Sequence, residues 1–429
     1  MPVAEAPSAA DASPSAPPAS EVPAAALYAT YAVGFASNGV GMMLKVALPL
    51  WAISLQLSAS EIGIAVGISG LMPFLLAIHG GVLMDRLGTR RVTMAYALAT
   101  VIACPLYPAL PFFAGVLVLQ LITGLAQTTV WIGAQSLIVR FTKGQTRLIA
   151  RFSVAARLGT LLGPVLVGAI WDLTGPWIAF GSIGVAGALV LLALRQVPEA
   201  NDPAAAAQAA VVGAAPATPR ERTRLRDLLP NWRDYAHAFS LMAIPAVTFI
   251  VVMTVLRNSS TGIQTSFYIV YLKDIGYLGT VIGLLVGISE GAGMAGALMA
   301  GWWEKYFKPH WVLIGFVIAS IAFVSITPVL GGIFVLLAIA TFGRGFAQGL
   351  TQPVIFGILS RAVDSSVQGT SVGLRTTSNR AASVIVPLVM GFVVEHVGLT
   401  NSFYVCGGAL IAITLGIALY VRRLPDFRS

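Results

Sequence analysis

Six ionisable residues stand out inside long apolar runs of this chain: the cations Lys45, Arg157, Arg257, Arg344 and Arg380, and one acid, Glu290. A charge at membrane depth is costly, so such residues face a partner, a water-filled cavity or a solute. Five cations against one acid leave charge uncompensated, and an unpaired buried charge is expensive. The chemistry this excess supports is recognition of an anion, with Glu290 as a group able to take up and release a proton. Polar side chains accompany the charges at helical spacing. Asn38 shares a face with Lys45, and Arg257 and Asn258 lie near Thr261, Gln264 and Tyr268. Gln120, Gly124, Gln127, Trp131 and Gln135 form one stripe, and Thr341, Gly345, Gln348 and Gln352 form another. Plainer readings compete. Lys45 and Arg344 could snorkel from helix ends, and the glutamines could join helices to one another.

The elements that must carry these residues follow from composition. Of 429 residues, 57% are hydrophobic and 10% are charged, where a soluble globular protein has about 25% charged. The 44 glycines suit close helix packing in lipid. A single soluble core cannot hide so much apolar surface, and the apolar runs are too long and unbroken for a β-barrel. Twelve runs approach the length that spans a bilayer. They lie at 27–56, 60–85, 92–110, 113–140, 148–172 and 177–196, then at 239–272, 279–304, 311–329, 332–360, 369–394 and 400–422. The expected fold is an all-α polytopic membrane protein.

The two sets of six runs repeat. An offset of 220 lays Val66-Gly67-Ile68-Ser69 on Val286-Gly287-Ile288-Ser289 and Asn38 on Asn258. An offset of 221 lays Gly124, Ala126, Gln127 and Arg140 on Gly345, Ala347, Gln348 and Arg361. An offset of 223 lays Arg157, Pro164, Gly168 and Gly175 on Arg380, Pro387, Gly391 and Gly398. A parallel repeat of this kind is related by an axis along the membrane normal. The expected organisation is a disordered tail at 1–26, a six-helix bundle at 27–197, an Ala/Pro-rich and then basic linker at 198–236, a second bundle at 237–422, and a short end at 423–429.

The net charge of +9 comes from 26 Lys+Arg against 17 Asp+Glu. The basic residues fall in short loops, so they speak for membrane topology rather than for nucleic acid. Arg86, Arg90 and Arg91 follow the second run, Arg140, Lys143, Arg147 and Arg151 the fourth, and Lys305 and Lys308 the eighth. The opposite loops carry Glu61, Asp172, Asp274 and Glu395 with Lys273. These two ends are called here the basic-loop face and the acidic-loop face. The positive-inside rule puts the basic-loop face and both termini in the cytoplasm. Cys104 and Cys406 lie in apolar runs, and His79, His237, His310 and His396 are scattered. No metal-ligand spacing, catalytic constellation or phosphate-binding glycine loop is present, so neither a cofactor nor an enzyme is expected.

The loop after the second run reads Gly80-Gly81-Val82-Leu83-Met84-Asp85-Arg86-Leu87-Gly88-Thr89-Arg90-Arg91. It combines a helix end, an acid able to meet a helix N-terminus, a glycine turn and basic residues for anionic headgroups. With the twelve runs and the repeat, it resembles the major facilitator superfamily, whose hallmark loop is G-x-L-x-D-R-x-G-R-K/R. Gly81, Asp85, Arg86, Gly88, Arg90 and Arg91 match. The resemblance covers about 27–422, and the second-half loop Gly301-Trp302-Trp303-Glu304-Lys305 is degenerate. It implies a twelve-helix fold of two bundles that alternate access. It implies gating by Asp85, facing the eleventh helix near Thr370, and by Arg86 and Arg90; a plain helix-end cap is the other reading of Asp85. Arg157-Leu158-Gly159-Thr160-Leu161-Leu162-Gly163-Pro164 is a partial match to the family's antiporter motif. The family's fourth-helix Arg is replaced by Gln120.

In that family the central cavity is lined by helices 1, 4, 7 and 10. The resemblance therefore implies solute contact for Asn38, Lys45, Gln127, Trp131, Gln135, Arg257, Asn258, Gln264, Arg344, Gln348 and Gln352. Because helices 5 and 8 meet across the halves in the family, Arg157 and Glu290 become an expected ion pair that breaks during alternation, with Arg380 as the repeat mate of Arg157. The expected function is secondary active transport of a small organic anion across the cytoplasmic membrane by a monomer, coupled to a proton or another ion and surrounded by membrane lipids. A proton-coupled efflux antiporter for drugs or lipophilic metabolites is the alternative, and a non-transporting sensor or a membrane enzyme is a more distant one.

Overall fold

All twelve runs fold as helices close to the limits read from sequence. The computed structural model describes residues 24–142, 145–197, 240–362 and 368–422, with only the backbone at 77–82, 85, 86, 140, 141, 146, 241, 360, 362 and 368–373. The expected tail, linker and C-terminal end fall outside the described residues apart from a few residues at their edges. No strand occurs among the described residues. Eleven helical spans are long and apolar enough to cross a bilayer, and Pro309–Ser325 is a shorter twelfth. The protein is therefore a multi-pass membrane protein.

In chain order the helices are α1 (Ala24–Ser54), α2 (Ala59–Ile68), α3 (Leu71–Leu87), α4 (Thr89–Ala109), α5 (Phe113–Thr142), α6 (Thr146–Thr174) and α7 (Pro176–Arg195). The second set comprises α8 (Pro245–Ile263), α9 (Ile269–Asp274), α10 (Gly279–Tyr306), α11 (Pro309–Ser325), α12 (Phe334–Ala362), α13 (Gln368–Val397) and α14 (Leu399–Val421). α1 begins at Ala24 rather than at 27, because alanine is the strongest helix former.

Two runs predicted as single helices are interrupted. The second run breaks between α2 and α3 at Ser69-Gly70. Pro73 has no N–H for the Ser69 carbonyl, and the Ser69 hydroxyl donates to the Val66 carbonyl at 2.7 Å. The seventh run starts at Pro245, at the favoured first-turn position, and contains a π-helical turn, Gln264–Tyr268, between α8 and α9. Such wide turns occur most often at functional sites.

Glycine decides how the two sets of six meet. A side chain on Gly283 of α10 would run into the Pro164 carbonyl of α6, and one on Gly168 of α6 into the Gly279 carbonyl of α10. The repeat mates do the same on the other side. Gly63 of α2 meets the Pro387 carbonyl of α13, and Gly391 meets Ala59. The two seams, α6/α10 and α2/α13, are thus one seam written twice, with offsets of 220 and 223. Inside each half the pattern recurs: Gly124 lies on the Ser69 carbonyl and Gly345 on that of Ser289.

The core follows the seams. One buried cluster joins both halves near the acidic-loop face and includes Trp51, Phe180, Phe267, Tyr268 and Leu285. The two other clusters lie one in each half, around Val130 and Phe152 and around Ile250 and Leu313.

Candidate functional site

Between the halves lies a cavity of three lobes of about 430, 470 and 520 Å³. Glu290, on α10 directly after Ser289, lines all three. Its repeat mate by the 220 offset is Gly70, so the carboxylate is where the repeat is broken.

The first lobe brings Lys45, Asn38 and Gln127 of the first half together with Arg380 of the second. The second lobe brings Arg257, Arg344, Gln348 and Gln352 together with Arg157 of the first half. The repeat mates Arg157 and Arg380 therefore each reach into the lobe built mostly by the opposite half. The third lobe, with Trp131, Gln135, Ile138 and Phe152, runs toward the basic-loop face. Trp131 stacks on Phe152, ring centroids 5.9 Å apart.

Glu290 is in Coulombic range of Lys45, Arg257 and Arg344, while Arg380 acts on Lys45 and Arg375 on Arg257. Arg344 is 4% exposed. It donates to the Ser289 hydroxyl, yet its Nε and Nη1 are buried without a hydrogen-bond partner. Arg257 is better held: Nε donates to the Thr351 hydroxyl at 2.9 Å and Nη2 to the Gln348 carbonyl at 3.1 Å.

Several expectations change. Arg157 and Glu290 line the same two lobes but form no ion pair; the pair found among the described residues is Arg361–Glu304, at 3.6 Å near the basic-loop face. The closest glycine contacts between α6 and α10, Gly283 on Pro164 and Gly168 on Gly279, lie farther toward the acidic-loop face. Asn258 does not line the cavity but donates to Asn379 of α13. Gln264 is 3% exposed, and Thr265 lines the first lobe in its place. The π turn rotates the register there, which a 3.6-residue spacing could not foresee. Arg90 donates to the Arg195 carbonyl at the end of α7, at 3.3 Å, so it ties down a helix C-terminus within its own half. The Asp85 and Arg86 side chains lie outside the described residues; Gly88, at φ 94°, forms the turn their loop requires.

The glutamine stripes serve two ends. Gln127 donates to the Ser37 carbonyl of α1, and Gln348 to the Thr261 hydroxyl of α8 at 2.5 Å. Both bonds join helices, and both side chains also face the cavity. Gln120, where the resemblance places an Arg, accepts from the Tyr107 hydroxyl at 2.7 Å and donates to the Ala65 carbonyl at 3.0 Å. Its mate Thr341 pairs with the Tyr268 hydroxyl at 2.7 Å.

Four residues escaped the sequence reading. Arg375 is 9% exposed and lies over the Phe356 ring at 4.3 Å; as a cation inside the eleventh run it carried the same signal as Arg380. Ser289 was seen only as part of the repeat. Asp172 and Glu395 close the acidic-loop face. Asp172 accepts from the Gly279 and Thr280 amides at 2.8 and 2.6 Å and from the Thr280 hydroxyl at 2.6 Å. Glu395 accepts from the Ser60 amide at 3.2 Å and from the Ser60 hydroxyl. The 223 offset lays Asp172 on Glu395, and the 220 offset lays Ser60 on Thr280.

Comparison with known proteins agrees with this architecture. The sequence profile of the Major Facilitator Superfamily matches residues 30–272 and 250–429. No curated protein matches the sequence at a significant level. Among solved structures, the nucleoside transporter NupG is similar over 92% of this chain and 98% of its own, at 15% identity and a TM-score of 0.74. A POT family transporter in complex with a thioalcohol-conjugated peptide is similar over 94% and 96%, at 16% identity and a TM-score of 0.70. A bacterial homologue of the human lysosomal transporter Spinster, in an inward-facing and unoccupied conformation, is similar over 92% and 96%, at 14% identity and a TM-score of 0.68. At such identities these likenesses speak for the fold alone, and the profile match over almost the whole length shows that the chain belongs to the Major Facilitator Superfamily.

Proposed function

We propose that this protein is a secondary active transporter that moves a small organic anion across the cytoplasmic membrane by alternating access, with Glu290 carrying the coupling proton. The observation that carries this reading is the charge of the cavity: Lys45, Arg157, Arg257, Arg344 and Arg380 surround the lone carboxylate of Glu290. Burying such an excess is unfavourable unless an anion enters. Arg257 and Arg344 would hold the solute, with Asn38, Gln127, Gln135, Gln348 and Gln352 as neutral hydrogen-bonding groups. The bundles at 27–197 and 237–422 would rock about the two glycine seams, with the linker 198–236 and both termini in the cytoplasm. On that orientation the cavity, reaching toward the basic-loop face, is inward-facing.

Coupling follows from competition. With Glu290 ionised, the carboxylate neutralises part of the cationic field. Protonating it frees Lys45, Arg257 and Arg344 to bind the solute. Exchange of labelled anions into proteoliposomes tests this reading, with wild type beside Arg257→Ala. Equal uptake of every transported anion by the two proteins would remove Arg257 from the site.

The third lobe favours a second reading. Trp131, Ile138, Val139, Ile149 and Phe152 make it largely apolar, which suits a proton-coupled antiporter exporting drugs or lipophilic metabolites. Proton release driven by lipophilic cations or neutral compounds, but not by anions, would favour it.

A further inference from the structure

We infer that the solute is a small organic dianion whose two anionic groups engage two separate cationic poles on either side of Glu290. The inference rests on the anion reading above and narrows its substrate class.

One pole is Arg344 with Arg257 and the crossing Arg157; the other is Lys45 with the crossing Arg380. They belong to different lobes and share only Glu290 as a charged lining group. The poles are not a product of the repeat. The 220 offset places Ser37 against Arg257 and Thr265 against Lys45, and the 221 offset places Thr123 against Arg344. Each half has thus acquired cations where the other has hydroxyl groups, while the mates Arg157 and Arg380 supply the crossing charges.

A single anion cannot serve both poles. Charge–charge attraction falls with distance, and in a largely desolvated site an uncompensated cation remains costly. Glu290, between the lobes, acts on both poles but brings one negative charge against five cations. Arg344 points to the ligand chemistry. Its Nη2 is held by Ser289, while Nε and Nη1 are buried and unpartnered in the wall of the second lobe. A guanidinium with donors still unpaired suits the oxygens of a carboxylate, a phosphate or a sulfonate once the side chain turns into the lobe. Lys45, a point charge exposed to the first lobe, is less selective in geometry and suits the far end of the molecule. The lobes admit a small molecule, each being about 430 to 470 Å³.

The test uses the full chain in proteoliposomes and in detergent. Linear dicarboxylates, phosphocarboxylates and disulfonates of graded length are compared with monoanions of matched size and with the uncharged diesters. Readouts are exchange transport and the shift in melting temperature. At least one dianion should bind about tenfold more tightly than its matched monoanion, worth roughly 1.4 kcal/mol. Arg344→Gln and Lys45→Gln should each erase that preference, leaving dianion and monoanion within about twofold. Lys45→Arg should restore it, which separates lost charge from lost folding. Monoanions that bind and move as well as dianions would overturn the dianion inference and leave anion transport standing. Failure of both classes, with diesters or lipophilic compounds moved instead, would overturn the anion reading beneath it.

Discussion

Asp172 binds Thr280 across the two halves: its Oδ2 accepts from both the amide and the hydroxyl of Thr280, each at 2.6 Å. The N-terminus of α10 lacks a side-chain cap of its own, because Leu278 precedes it. A carboxylate brought from α6 satisfies the free amides and meets the positive end of the helix dipole. Glu395 likewise accepts from the amide and hydroxyl of Ser60 in α2, adding to the Ser58–Glu61 capping box of that helix. Each closing contact therefore also binds a helix end of the opposite half. Asp172→Ala or Glu395→Ala should each weaken closure by about 1–2 kcal/mol. Labelling of a cysteine placed at Thr160 from the acidic-loop side should rise accordingly, and unchanged labelling in the double variant would dismiss the caps as the closing device.

The seam makes a second expectation. A side chain at Gly283 or at Gly63 would strike the carbonyl of Pro164 or Pro387. Gly283→Val should leave a folded protein that no longer closes at the acidic-loop face. Transport should fall to background while the melting temperature drops by only a few degrees. Gly301, with open space around it, provides the control, and Gly301→Ala should transport normally.

Glu290→Gln is expected to separate coupling from binding. With Glu290→Gln, exchange of solute on the two sides of the membrane should persist, and accumulation in response to a pH gradient should vanish. Lys45, Arg157, Arg257, Arg344 and Arg380 around it are unaltered, so the variant lacks only the carboxylate proposed to carry the proton. Gradient-driven accumulation at the wild-type level would exclude Glu290 as the proton carrier.

Gln120 is expected to be structural although it touches the first lobe. Gln120→Leu removes the acceptor of the buried Tyr107 hydroxyl and the donor to Ala65. The cost should be about 1–3 kcal/mol, seen as a lower melting temperature. Tyr107→Phe in addition should recover part of it, and solute affinity should change little.

The sequence revealed the number of helices, their limits and the repeat, because those depend on apolar length and on residue spacing alone. It also brought forward Lys45, Arg257, Arg344 and Glu290, since any charge in an apolar run stands out. It missed what depends on three dimensions. Gln264 was placed on the cavity face because the π turn leaves no mark in the spacing. Asp172 and Glu395 looked like ordinary loop acids, and only the meeting of two helix ends gives them a partner. Arg157 and Glu290 were expected to pair because their helices cross. The helices do cross, but the tight contacts lie nearer the acidic-loop face.

The glycine seams carry one more consequence. Where Gly283 lies on Pro164 and Gly63 on Pro387, backbone lies on backbone with no side chains interlocked between them. Such a surface has few rotamers to rearrange as it moves and little adhesion specific to one position. In the rocking proposed above it would serve as a low-friction bearing. The resting position of the two halves is then set by the few charged groups at its rim and by what fills the cavity, so a small ligand can redirect a motion that involves half the molecule.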